Sequence, residues 1–105
     1  DSARVGGRRL VSEATFREWL TPQTVAPTAM YPTMQLVRPH FFAYGLGWFL
    51  QDYAGEAVAM HTGSIDGMSA IIGLLPDRRL GVYVLANRDH AELRHALMLR
   101  VFDLY

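Results

Sequence analysis

The chain has 105 residues, half of them hydrophobic and 19% charged, a composition typical of one globular domain rather than of a disordered segment. Ten basic residues offset ten acidic ones, so nothing indicates the basic face that a nucleic-acid or membrane-surface partner requires. All ten basic residues are arginine, and the absence of lysine and cysteine excludes a lysine base, a thiol nucleophile and a cysteine-ligated metal from this chain.

The first part of the chain, residues 1–42, is predicted to be a lead-in, a short helix and a long loop. Ser12 suits an N-cap, and Glu13 follows it in the first turn, where the helix dipole favours an acid. These residues predict a helix over about residues 13–20. Residues 22–39 contain four prolines and are predicted to lack regular structure. A loop of that length indicates a lid or a segment that packs on something outside the chain.

The second part, residues 43–105, is predicted to be a β-meander followed by a helix. The strands are expected at residues 43–53, 56–61, 68–75 and 80–86. Asp89 can cap a helix over about residues 90–104, and that helix is expected to bury a stripe of Leu93, Leu97, Val101 and Leu104, widened by Met98, Phe102 and Tyr105. The fold class is therefore α+β, with an antiparallel sheet of about four strands and a C-terminal helix packed on it.

The last two predicted strands are hydrophobic on both sides rather than alternating. A sheet that is buried on both faces needs cover on both, and one helix covers only one face. We therefore expect that something outside these elements covers the second face. No apolar run approaches the length of a membrane span.

A polar stretch, residues 60–69, separates two apolar runs in the middle of the meander. Taken alone, His61-Thr62-Gly63-Ser64 fits a turn at a strand end as well as it fits a site. Ser64 or Ser69 with His61 and Asp66 would complete a Ser-His-Asp triad, but no G-x-S-x-G elbow surrounds either serine. The four histidines lack the spacing of metal ligands, so neither a metal nor another cofactor is expected.

The order of several short motifs resembles one protein family. These motifs are Tyr44-Gly45-Leu46-Gly47-Trp48, His61-Thr62-Gly63, Gly67, Pro76, and the run from Leu80 to Asn87 before a terminal helix. Together they resemble the C-terminal part of the serine β-lactamase and penicillin-binding-protein-like hydrolases, especially the class C β-lactamase and esterase branch. The resemblance covers about residues 7–105 and implies the C-terminal half of an antiparallel sheet flanked by helices.

The resemblance also implies that part of the catalytic machinery lies elsewhere. The family's S-x-x-K and Y-x-N motifs lie upstream of the matching region, and a chain without lysine cannot contain S-x-x-K. Residues 1–105 are therefore expected to be a C-terminal fragment of a single domain, inactive by itself. The expected partners are the missing N-terminal part and a small-molecule or peptide ester or amide substrate. Self-association of the fragment through its uncovered sheet face is a further expectation.

The site residues follow from the third family motif, K-T-G, to which His61-Thr62-Gly63 corresponds. The resemblance implies that Thr62 and Gly63 bind substrate along the strand edge and that His61 lies near the missing nucleophile. It also implies that the Ser64 backbone N–H forms half of the oxyanion hole. Acidic residues in the segment 87–92 stand where class C enzymes bind a carboxylate, so an ester or peptide substrate is favoured over a β-lactam.

Two alternatives remain open on the sequence. One is a non-catalytic binding or interaction module that keeps the sheet without the chemistry. The other is a self-contained α+β domain with a turn at residues 61–67 and no site. A full-length coding sequence without S-x-x-K would favour the binding module.

Overall fold

Residues 3–105 of the chain are described by the computed structural model, and they form a small hairpin followed by one large sheet. The hairpin pairs β1 (Arg4–Val5) with β2 (Arg8–Arg9). The large sheet is an antiparallel meander whose strands, in both chain and spatial order, are β3 (Thr24–Val25), β4 (Phe42–Tyr44), β5 (Phe49–Tyr53), β6 (Glu56–Ile65), β7 (Met68–Leu75) and β8 (Leu80–Ala86). The α+β fold class is confirmed. Asp1 and Ser2, the start of the predicted lead-in, lie outside the described residues.

The predicted strand over residues 43–53 is wrong, because the chain reverses within it and forms both β4 and β5. The Gly45 backbone N–H donates to the Trp48 carbonyl at 2.8 Å. Gly47 adopts a φ of +83°, a conformation that is open to glycine and costly for most other residues. The aromatic residues that favour a strand therefore lie on both sides of a tight turn.

The segment 22–39, predicted to lack regular structure, contains β3 and a four-residue helix, α2 (Met34–Val37). The Ala26 N–H donates to the Phe42 carbonyl at 3.0 Å. The backbone N–H and the hydroxyl of Thr33 both donate to the Glu92 carboxylate. The prediction that this segment lacks regular structure is therefore wrong at β3 and α2, and the contacts of Ala26 and Thr33 lie within the chain.

The predicted first helix is confirmed as α1 (Glu13–Trp19), and the Ser12 hydroxyl oxygen accepts the Thr15 N–H at 3.0 Å. The C-terminal helix, α3 (Leu93–Leu104), begins three residues later than predicted. Asp89 does not cap it, because its carboxylate lies 2.7 Å from the ring of His90. Among the described residues, no helix has both the length and the apolar character needed to cross a membrane.

The predicted apolar arc of α3 is confirmed at Met98 and Phe102, which are buried, and is wrong at Leu93, Leu97, Leu104 and Tyr105, which are exposed. The buried residues of α3 are Arg94, His95, Met98, Leu99 and Phe102. This face is selected by the sheet, because a side chain at Gly73 would collide with Met98 and Phe102. The helix therefore lies close against β7 at a position where any side chain would require Met98 and Phe102 to move.

The two faces of the sheet differ in cover near its last strands. Ile71 and Leu75 of β7 are buried in the same core as α3. On the opposite face, Tyr83 and Leu85 of β8 are exposed. Along β7 and β8, more buried side chains therefore alternate with more exposed ones. This is expected for strands that are packed on one face only.

Candidate functional site

The polar stretch His61-Thr62-Gly63-Ser64 lies inside β6 and not at its end. The strand continues to Ile65, and the chain reverses at Asp66-Gly67, where Gly67 has a φ of +78°. The interpretation of residues 61–64 as a turn is therefore wrong. These residues are extended and are held in register against β7.

Only one side of this stretch has a neighbouring strand. β6 pairs with β7 from Ala59 to Ile65, but it pairs with β5 only from Glu56 to Met60. β5 begins at Phe49, opposite Met60, and the chain before Phe49 belongs to the tight turn that joins β4 to β5. Within the described residues, His61–Ile65 therefore has a free strand edge.

The β5–β6 hairpin determines which backbone groups point to that free edge. Its turn, Ala54-Gly55, has two residues with positive φ, the geometry of a two-residue type I′ hairpin. The residues that flank such a turn form a hydrogen-bonded pair, and the direction of the backbone groups then alternates along the strand. Counting in steps of two from Glu56, the N–H and C=O groups of Thr62 and Ser64 point towards the side where β5 has ended.

The side chain of Thr62 faces α3 and is engaged within the protein. Its hydroxyl donates to the Ala70 carbonyl at 2.9 Å and accepts from Nε of Arg94 at 2.6 Å. Arg94 is only 7% exposed, and its Nη1 donates to the Ala91 carbonyl at 2.8 Å. The Ser64 hydroxyl is buried and has no hydrogen-bond partner within residues 3–105. The free edge therefore presents the backbone of these two residues rather than their hydroxyl groups.

His61 is exposed and contacts two aromatic side chains. Its ring stacks on Phe49 with centroids 5.7 Å apart, and its Nε2 lies 3.2 Å from the Tyr44 hydroxyl. The sequence did not assign Tyr44 a contact with His61. The contact follows from the pairing of Tyr44 with Phe49 across the β4–β5 turn. The sequence pattern predicts a continuous strand there and therefore gives no direct signal for it.

The residues of the possible Ser-His-Asp triad are not brought together. The Ser69 hydroxyl donates to the Arg88 carbonyl at 2.9 Å. Within the described part of the chain, His61 makes no hydrogen bond with Ser64, Ser69 or Asp66. Residues 3–105 contain no group of three or more histidine, aspartate or glutamate side chains that could hold a metal ion.

A cleft of about 720 Å³ adjoins the end of β6. Its walls are mostly apolar and come from β6, β7 and β8, with Gly63, Ser64, Ile65, Met68, Ser69, Ala70, Leu85, Ala86 and Asn87 lining it. Glu92, an acid of the segment after β8, is directed towards the Thr33 backbone N–H at 3.2 Å.

A second polar group lies beneath the sheet, where sequence analysis assigned no function. His95 is 2% exposed and packs on Tyr31 with ring centroids 4.8 Å apart. Its Nδ1 is 3.3 Å from a Glu92 oxygen, without hydrogen-bond geometry. Burial lowers the pKa of His95 although the Glu92 charge opposes this shift. Burial also raises the pKa of Tyr31. His95 is therefore an uncharged part of the core near neutral pH.

Comparison with known proteins identifies related sequences. The sequence model of the β-lactamase family matches residues 3–103. An unguisins hydrolase from Aspergillus violaceofuscus (strain CBS 115571) is 36% identical over 70 residues, which make up 67% of this chain and 12% of that protein. The chain thus spans only a small part of the length of this relative. No solved structure matches the chain significantly.

Proposed function

The chain belongs to the β-lactamase family, and we propose that it supplies one wall of the active site of a serine hydrolase whose nucleophile lies outside these 105 residues. The observation that supports this proposal is the free edge of β6 at His61–Ile65. That edge presents backbone donors and acceptors beside the motif that corresponds to K-T-G. A relative named as a hydrolase agrees with hydrolytic chemistry.

The Ser64 backbone N–H is proposed to be one donor of the oxyanion hole. Its direction towards the free edge follows from the hairpin register, and β7 holds the same strand from the other side. A donor that is fixed before the reaction stabilises the developing oxyanion without reorganisation, and one such donor contributes about 3–4 kcal/mol. Nothing lies within 4 Å of the position that a side chain of Gly63 would take, so the space beside this donor is open to a substrate.

The proposed substrate is an extended ester or peptide that lies along β6 as an added strand. Thr62 and Ser64 each offer one N–H and one C=O at the edge. The serine hydroxyl of the parent protein would add to the substrate carbonyl, and the C–O or C–N bond would break as a proton passes to the leaving group. Water would then release the acyl group and regenerate the serine. His61 would donate a hydrogen bond to the reacting oxygen or to the leaving group.

The side chains that follow β8 favour this substrate over a β-lactam, whose carboxylate needs a cation. Asp89 and Glu92 outnumber the one arginine of that segment, Arg88. Arg94 is bonded to Thr62 and to the Ala91 carbonyl. An ester or peptide without a carboxylate at that position does not require a free guanidinium.

The 105-residue chain alone is proposed to have no hydrolytic activity. A chain without lysine contains no S-x-x-K motif. Within the described residues, no serine is hydrogen-bonded to a histidine that could act as its base. The alternative, a non-catalytic module, predicts that the parent protein is equally inactive.

The test uses the parent protein and two substitutions at one position. Ser64→Pro removes the N–H at the free edge, where proline breaks no ladder hydrogen bond. We expect kcat for p-nitrophenyl ester hydrolysis to fall by about 10²–10³-fold. Ser64→Ala is the matched control, because it keeps the N–H and removes a hydroxyl that has no partner among the described residues. Its kcat should stay near that of the wild type.

Three results would contradict these proposals. A Ser64→Pro variant that keeps the wild-type rate would show that this N–H is not an oxyanion donor. A parent protein that a covalent serine probe does not label would favour the binding module. Turnover of nitrocefin or of the ester by the purified 105-residue chain would overturn the proposed inactivity.

A further inference from the structure

Tyr44 contacts the histidine of the proposed site. Its hydroxyl lies 3.2 Å from Nε2 of His61, and the two rings are 6.1 Å apart at an interplanar angle of 58°. We propose that Tyr44 is a positioning residue that fixes both the orientation and the tautomer of His61. The catalytic consequence of this role rests on the function proposed above for His61, whereas the contact itself does not.

The backbone that bears Tyr44 is held on both sides. The Tyr44 carbonyl accepts the Gln23 N–H at 2.8 Å, and the next residue, Gly45, donates its N–H to the Trp48 carbonyl at 2.8 Å. A side chain at Gly45 would come within 2.7 Å of the Trp19 carbonyl oxygen. The turn after Tyr44 is therefore packed tightly against the end of α1, and the phenol projects from a fixed point.

Phe49 limits the movement of both rings. Its ring lies 4.6 Å from that of Tyr44 in an edge-on contact and 5.7 Å from that of His61 in a stacked contact. Phe49 in turn stacks on Phe42 at 5.2 Å. A rotation of His61 away from Tyr44 would give up the stacking contact together with the hydrogen bond, so the two interactions favour the same ring orientation.

The hydrogen bond also selects where the imidazole carries its proton. A neutral imidazole has one N–H donor and one bare nitrogen acceptor. A phenol is the better donor of the pair and an imidazole nitrogen the better acceptor, so the Tyr44 O–H donates to a bare Nε2. The proton of neutral His61 must then be on Nδ1. In a free histidine the preferred tautomer is the opposite one, with the proton on Nε2.

This arrangement defines which proton the site can offer. Within residues 3–105, Nδ1 of His61 makes no hydrogen bond, so a Nδ1–H would be available at the exposed side of the ring. Without Tyr44 the same ring could rotate and hold its proton on either nitrogen. The partner of a catalytic histidine commonly controls both of these properties.

Nuclear magnetic resonance of the imidazole nitrogens tests the tautomer directly. The parent protein is labelled with ¹⁵N-histidine and studied at mildly alkaline pH, where an ordinary imidazole is neutral. The His61 signals are assigned by their loss in His61→Gln. We expect His61 to be protonated mainly on Nδ1 in the wild type and mainly on Nε2 in Tyr44→Phe. Tyr105→Phe, a change at an exposed tyrosine far along the chain, should leave the His61 signals unchanged.

Kinetics tests the catalytic consequence in the same variants. Tyr44→Phe should lower kcat by about tenfold while KM changes by less than about twofold, because the phenol acts on a proton donor and not on substrate affinity. Tyr105→Phe should change neither constant. If Tyr44→Phe lost its fold, the concentration of active protein would fall and the measured kcat would fall with it. Far-ultraviolet circular dichroism of the variant detects such a loss of folding.

The two measurements separate this proposal from the proposed function. A wild-type His61 that is protonated on Nε2 would overturn the proposal without any variant being needed. An unchanged tautomer in a folded Tyr44→Phe protein would also overturn it. If the tautomer switches as expected while the parent protein hydrolyses no ester or peptide, the positioning role stands and the proposed function fails.

Discussion

The first and second halves of β6 belong to one continuous strand but have different neighbours. Glu56–Met60 pairs with β5 throughout and also with β7 at Ala59 and Met60, and Val58, Ala59 and Met60 are all buried. His61–Ile65 has β7 alone as a neighbour, and exposed residues alternate with half-buried ones. The change occurs at the residue where β5 begins. A single strand can therefore be core at one end and a potential binding edge at the other.

This difference gives the second half of β6 a rigid support. The ladder to β7 runs without interruption from Ala59 to Ile65, and Arg94 of α3 holds Thr62 from behind the sheet. Backbone groups at the free edge are therefore fixed by the sheet rather than by a loop. Sites built on rigid elements hold their geometry more accurately than sites on loops.

Truncating one side chain in each half of β6 should give the largest difference in stability. Met60→Ala removes a side chain that is 1% exposed and leaves a cavity, so it should lower the free energy of unfolding by about 2–5 kcal/mol. Ile65→Ala, at a residue that is 68% exposed, should cost about 0.5 kcal/mol or less. Urea denaturation measures both. Equal losses would mean that the sheet face at Ile65 is covered in the protein and that the two halves do not differ in burial.

Two glycine-to-alanine substitutions compare the packed core with the second half of β6 by adding a methyl group instead of removing a side chain. Gly73→Ala should lower the free energy of unfolding by about 1–3 kcal/mol, because the new methyl group would overlap Met98 and Phe102 in a packed core. Gly63→Ala meets nothing within 4 Å and should leave stability unchanged. In the parent protein, however, Gly63→Ala should raise KM for an ester substrate because the methyl group would project from the sheet face into the cleft beside the edge. Loss of stability in Gly63→Ala would show that this part of the cleft is already occupied by protein.

Parts of this fold could be predicted because local patterns decide them. The bounds of β7 and β8 follow from two apolar runs that end at turn residues, and α1 follows from Ser12 and the residues after it. The β4–β5 turn could not be predicted in that way. It depends on Gly45 fitting against the carbonyl of Trp19, a contact between residues far apart in sequence.

The face that α3 buries was decided by tertiary contacts too. Two overlapping stripes on α3 are both largely apolar, and the prediction centred on the leucine stripe, with Met98 and Phe102 at its margin. The sheet selects the other, since Gly73 admits Met98 and Thr62 provides a partner for Arg94. For the site, family resemblance pointed to His61 and Ser64, whose roles stay predictions. The free edge and the Tyr44 contact required knowledge of where β5 begins.

A smaller effect on stability is expected at Thr62, in the second half of β6, where Arg94 of α3 contacts the strand from behind the sheet. Thr62→Val keeps the shape of the side chain but removes the acceptor for Nε of Arg94. The buried guanidinium would lose one partner and keep its bond to the Ala91 carbonyl, so the free energy of unfolding should fall by about 1–2 kcal/mol. Arg100→Ala, on the exposed side of the same helix, is the control and should change stability little. A Thr62→Val protein as stable as the wild type would indicate that Arg94 does not hold the strand.

The smallest expected effect is a pH dependence of stability caused by His95. This residue packs beneath the first half of β6, near Met60. Burial holds the pKa of His95 below its ordinary value of 6.5, with the Arg94 charge acting in the same direction and Glu92 opposing it. The unfolded chain then binds a proton at a higher pH than the folded one, so stability decreases as the pH falls below about 6.5 and is regained as it rises. His95→Leu removes this titration and should flatten the slope of stability between about pH 7 and about pH 5. An unchanged slope in His95→Leu would mean that His95 binds its proton equally in the folded and unfolded chains. A steeper slope would mean that His95 is charged in the folded core, with Glu92 as its counter-ion.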